Sequence, residues 1–110
     1  MEISLIDTCN FIKSNESSFT DFFTAFQVAV PKLPKKHIVV QLSENLNTSA
    51  DELSLFLNLA KDHKKNGMSF VVICSTIDID LIPESLNVVP TLTEAKDVIE
   101  MEDIERDLGF

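Results

Sequence analysis

The stretch from His37 to Cys74 constrains the fold more than any other part of the chain, because it reads as one strand–loop–helix–strand unit. HIVVQL (37–42) is a short apolar run rich in β-branched residues, and SENLNTS follows it. A segment from about Ala50 to Asn66 carries helical spacing, Gly67 closes it, and SFVVIC (69–74) is a second apolar run. Two buried strands joined by a capped amphipathic helix predict a parallel βαβ crossover of right-handed sense. Ligands and partners of such sheets meet the loops at the carboxyl ends of the strands, here Ser43–Ser49 and Ser75–Asp80. Neither loop holds a glycine, a histidine or a lysine. The chain therefore says much about fold and little about chemistry.

The flanking segments extend the same pattern. EISLI (2–6) and CNFIK (9–13) around Asp7-Thr8 predict a hairpin. Helix one spans about Phe19–Val30, with Ser18 as N-cap and Asp21 three residues on. Phe19, Phe22, Phe23 and Phe26 follow its 3–4 spacing, which marks a core anchor; an aromatic ligand box is the sharper alternative. Pro31 and Pro34 stop it. In helix two, Ser49 and Glu52 form a capping box, and Leu53, Phe56, Leu57 and Ala60 face the sheet. LNVV (86–89) is a short last strand. Helix three follows Pro90, with Thr91 and Glu94 as a further capping box and Gly109 at its end.

Composition bounds what such a chain does. Its 110 residues predict one domain over 1–110, and an apolar fraction of 45% is that of a folded protein. No apolar run approaches the roughly 20 residues that span a bilayer. The start, MEISLIDTCN, has an early acid and no basic region, so no secretory signal is expected. Cys9 and Cys74 read as free thiols in a reducing cytosol. The net charge is −9, and from Asp78 to Asp107 only Lys96 and Arg106 are basic. That field repels phosphate backbones, so neither nucleic acid nor an anionic membrane is an expected partner.

Candidate chemistry is sparse. His37 and His63 are the only histidines and lie far apart, with no Cys-x-x-Cys pair, so a zinc cage has no ligands. Asp78 and Asp80 could present oxygens to magnesium, but two carboxylates in an acidic loop are more simply solvated. The 43–49 loop lacks the glycines and lysine of a phosphate cradle. Cys74, ending a buried strand, is a nucleophile by position without an assignable base. The hydroxyls Ser43, Thr48 and Ser49 sit where a partner or kinase reads the crossover, although Ser49 has a sufficient task as a cap.

The stretch VVQLSENLNTSADELSLFLNLAKDHKKNGMSFVVI resembles the core of the STAS domain, the fold of bacterial anti-sigma-factor antagonists. That family follows an Asp-Leu-Ser-like strand end with Asp-Ser-Ser-Gly or Asp-Thr-Ser-Gly; the segments LNLAK (57–61) and TLTEAKDVIE (91–100) are similar to its helices. Read back without gaps from Leu59-Ala60-Lys61, the family's motif falls on Ser49-Ala50-Asp51-Glu52; a shift of two places it on Asn47-Thr48-Ser49-Ala50. Either way the phosphorylation motif is broken. The ending VVPTLTEAKDVIEMEDIERDLGF is also similar to that of short bacterial STAS-like proteins sometimes labelled ribonuclease Z, but that enzyme's His-x-His-x-Asp-His motif is absent.

The expectation is thus an α/β, STAS-like single domain, ordered β-β-α-β-α-β-β-α, with a mixed sheet and helices mainly on one face. The resemblance implies a non-enzymatic cytoplasmic regulatory or protein-binding module without the phosphoserine switch and without a cofactor. Its partner would be a protein, basic or a kinase-like regulator, met through Ser43, Asn47, Thr48, Ser49 and Asp51. Two alternatives stay open: a small-molecule sensor with a pocket under helix one, and an enzyme using Cys74 or Asp78/Asp80.

Overall fold

In the computed structural model, which describes residues 1–109, the two apolar runs form the spine of the sheet. Strand β3 (His37–Gln41) lies parallel to β4 (Phe70–Ile73), with Ile38 opposite Phe70 and Gln41 opposite Ile73. Strand β2 (Cys9–Lys13) runs parallel along the other side of β3, and β5 (Asn87–Val89) along the other side of β4. Strand β1 (Glu2–Ile6) folds back antiparallel on β2 through a turn in which Asp7 takes φ 53. The sheet is mixed, in the spatial order β1-β2-β3-β4-β5.

That sequential order dictates the layers. Each crossover from β2 to β5 moves one strand in the same direction, and right-handed crossovers then all land on one face. Helix α1 (Phe19–Ala29), the segment α2 (Ala50–Leu53) to α3 (Leu57–Lys65), and the β4–β5 connection do share one apolar cluster with Ile12, Ile38, Val40, Phe70 and Val72. The opposite face keeps Val39, Val71 and Ile73, which a lone sheet would leave wet. Helix α4 (Leu92–Asp107) covers them with Ala95 and Ile99. Helices therefore lie on both faces. The expectation of helices mainly on one face holds only for the crossovers, because central strands apolar on both sides need a cover on each.

Local signals explain where elements stop. The helix expected as one piece over 50–66 is interrupted by a 3₁₀ turn at Ser54–Phe56. Ser54 turns its hydroxyl back onto the carbonyl of Asp51 at 2.6 Å, the local side-chain bond that competes with helical pairing. The break leaves Leu53 and Phe56 fully buried, Ala60 buried and Leu57 half-buried against the same cluster. Helix α3 ends in a Schellman motif: Met68 N–H reaches the His63 carbonyl, Gly67 N–H reaches Lys64, and Gly67 takes φ 79. Ser49 and Glu52 complete a reciprocal capping box. Thr91 makes only half of one, accepting from Glu94 N–H at 3.3 Å.

Candidate functional site

The crossover after β3 is moored at several points. Leu42 N–H donates to the Ile73 carbonyl, and Ser43 N–H donates to the hydroxyl of buried Ser14 at 2.8 Å, which ties the loop to the end of β2. Ser43 Oγ accepts from Asn45 N–H and heads a 3₁₀ turn, Glu44–Leu46. Leu46 plugs into the core, Asn47 reverses the chain at φ 48, and Thr48 turns inward again. Ser49 then caps α2, its Oγ accepting from Glu52 N–H while the Glu52 carboxylate accepts from Ser49 N–H. Across the gap, the Ser75 hydroxyl donates to the Glu44 carboxylate at 3.0 Å and joins this loop to the one after β4.

This mooring sorts the sequence candidates. Asn47, Ser49 and Asp51 stand exposed along one rim with Glu44 and Asn45, and Ser43 is half-buried at its start. Thr48 does not join them: it is buried, and among the described residues its hydroxyl has no hydrogen-bond partner. An unpaired buried hydroxyl carries a desolvation cost of about 1–3 kcal/mol and is closed to a modifying enzyme. The rim bears Glu44 and Asp51 and no base, and behind it lies a crevice of about 430 Å³ lined by Lys13, Ser14, Gln41 and Ser43 among others.

The remaining candidates are elsewhere, with structural tasks. Cys74 is buried on the α1–α3 face, and among the described residues the one polar partner of its Sγ is the Thr76 hydroxyl, at 3.8 Å. Asp78 Oδ1 accepts from Asp80 N–H and heads the 3₁₀ turn Ile79–Leu81. Phe19, Phe23 and Phe26 pack on Phe56, edge to face, with ring centroids 5.3 to 5.7 Å apart, so the aromatic stripe fills its own space. A crevice of about 430 Å³ opens at the end of α1, lined by Val30, Pro31, Leu33, Ile38, His63 and Met68 together with Pro34, Lys35 and Asn66, and among the described residues no phenylalanine borders it.

A polar cluster that the sequence pattern did not single out holds the amino ends of the strands to the end of α4. His37 Nδ1 accepts from the buried Ser69 N–H at 2.8 Å, which places the ring proton on Nε2, 3.2 Å from Asp103 Oδ1. Arg106 donates to Asp103 at 2.7 Å and to Ser69 Oγ at 3.0 Å. Ser69 Oγ in turn donates to Glu102 at 2.6 Å, and Asn87 donates to the same carboxylate. Burial pushes the Asp103 carboxyl up, but the hydrogen bonds from Arg106 and His37 and the charge of Arg106 outweigh it and hold the group below the usual carboxylate range. Despite its Ser, His and Asp, the cluster is not a nucleophilic triad: the histidine faces the serine's backbone, and the serine hydroxyl is spent on Glu102. No local spacing in the sequence points to this cluster, which the fold assembles. Glu102, Asp103 and Arg106 sit on the inner side of α4, opposite polar residues at the starts of three strands.

Beside this cluster, Cys9 lines a crevice of about 310 Å³ with Asp7, Lys96 and Asp103. Burial pushes the Cys9 thiol up, the Thr8 hydrogen bond draws it down, and the carboxylates of Asp7 and Asp103 push it up further. The net rise keeps the thiol protonated and a poor nucleophile at neutral pH. Among the described residues no group of three or more His, Cys, Asp or Glu side chains is placed to hold a metal ion. No helix among them is long and apolar enough to cross a membrane. Neither protein-family models nor curated proteins match the sequence.

Proposed function

We propose that this chain is a non-enzymatic module of STAS-like type that works by binding another protein, in a reducing cytoplasm, through the exposed rim of the 43–51 loop. One observation carries the reading: the loop is fixed by Leu46, Thr48 and the Ser14 hydroxyl, yet turns Glu44, Asn47, Ser49 and Asp51 outward. A rim already ordered before binding loses little conformational entropy when a partner docks. Its two carboxylates favour a partner with basic residues at the contact. The winding of the sheet supports a surface rather than a cleft. A ligand crevice opens at a topological switch point, where successive crossovers go to opposite faces, and here the crossovers share one face. The mixed sheet with a capped helix between parallel strands supports the STAS-like assignment. The engaged capping box at Ser49 supports a module without the phosphoserine switch.

The sensor reading keeps one observation in its favour, the partly apolar crevice at the end of α1. Quantitative affinity purification from the native host separates the two. Asn45→Arg and Asp51→Arg should abolish capture of a stoichiometric protein partner, while Thr24→Arg, at an exposed position of α1, should leave it intact, each compared below its own melting temperature. A partner retained by both rim variants, or no stoichiometric protein at all, contradicts the proposal.

A further inference from the structure

We propose that two copies of this chain pair through β1, antiparallel about a two-fold axis at Ser4, to form one continuous sheet. The two edges of the sheet are built differently. Strand β5 is three residues long, runs into Pro90 and lies under α4. Shortness, proline and a covering element are the usual means of blunting an edge. Strand β1 has five residues, all exposed, with Ile3 at 44%, Leu5 at 55% and Ile6 at 36% exposure. It contains no lysine, proline or bulge, and among the described residues β2 is its one substantial neighbour.

The occupant follows from register and charge. Only pairing about Ser4 matches all five residues, setting Ile3 opposite Leu5 of the second copy, Glu2 opposite Ile6, and Ser4 opposite Ser4. The pairing register with β2 puts Ile3 and Leu5 on the face of Ile12 and Asn10, so Ile3 and Leu5 of both copies meet on one side, while Ile6 lies on the other. No like charges face each other across this join. The strand's one acid, Glu2, already lies beside Lys13 of β2. The acidic surface of α4 could not self-associate in that way, since the chain carries −9 overall and the excess lies there.

Sedimentation equilibrium of the intact chain across the micromolar to millimolar range tests this. The mass should rise from 12.3 kDa toward twice that value with concentration. Ile3→Lys and Leu5→Lys, at exposed positions, should hold it at the monomer value with unchanged melting. Ser4→Cys gives an independent check that does not depend on charge. Directly opposed antiparallel residues have Cα atoms about 4.5 or 5.5 Å apart, within the disulfide range. Mild oxidation should therefore link two copies, with peptide mapping locating the bridge between the two substituted positions. A monomeric mass at every concentration overturns the proposal, whatever else the edge then pairs with. So does a dimer that survives both lysine variants and shows no bridge at the substituted position.

Discussion

Phe22, Phe26, Phe56 and Phe70 close one face of the sheet, while Ala95 and Ile99 with Val39, Val71 and Ile73 close the other. On the first face the rings meet at centroid distances of 5.4 to 6.2 Å and ask nothing of charge or protonation. On the second, a thin apolar contact is supplemented by the His37, Ser69, Glu102, Asp103 and Arg106 hydrogen bonds. Hydrophobic contact is non-directional and scales with area. Polar contacts fix a rotation but cost desolvation, and they weaken once a partner is lost. Helix α4 is thus seated by a thin apolar stripe, Ala95 and Ile99, and oriented by the polar contacts of its last turns. Its outer side leaves Met101, Ile104 and Leu108 exposed.

The largest effect should come from breaking the first face. Phe56→Ala deletes a fully buried ring at the centre of the cluster and should cost about 3–5 kcal/mol in denaturant unfolding. His37→Phe keeps the bulk on the second face but leaves the buried Ser69 N–H without its acceptor, for a loss of about 1–3 kcal/mol by the same measurement. At the loop rim, Ser49→Ala should lose about 0.5–2 kcal/mol, whereas Ser49→Asp, itself a good cap, should be nearly neutral and leave partner capture unchanged. A phosphoswitch would instead change capture strongly with Ser49→Asp.

The smallest effect appears as a difference in pH response between the two faces. Asp103 is held below its unfolded value of about 3.9. Its contribution is therefore fully present above that value and is lost as the pH falls through the lower folded one. Because the side chain is 47% exposed, solvent screening limits that contribution to under about 1 kcal/mol. Asp103→Asn should be slightly less stable than wild type at neutral pH, and the gap should close in acid. The cost of Phe56→Ala should persist in acid.

The apolar contacts of both faces were legible in the sequence, and the polar cluster that clasps the second was not, for a physical reason. Phenylalanines at 3–4 spacing, β-branched runs and the Ser49/Glu52 box each act over a few residues, so pattern alone reveals them. The polar cluster joins helix and strand residues from 15 positions apart (Asn87 and Glu102) to 66 (His37 and Asp103), where no periodicity points from one to the other. Burial of Thr48 was hidden likewise: within SENLNTS it looks as available as its neighbours, and only the reversal at Asn47 turns it inward. The helix break at Ser54 depends on a rotamer choice that helical spacing does not register.

Native-state hydrogen exchange tests the central claim, that one face is packed and the other clasped. Amides of Val39, Val40, Val71 and Val72 should exchange only through global unfolding, with the full unfolding free energy. Those of α4 from Val98 to Ile104 should exchange through a smaller, separate opening, and His37→Phe should speed that opening more than it speeds exchange in β3 and β4. Exchange of α4 at the same free energy as the central strands, shifted equally by His37→Phe, would contradict the account.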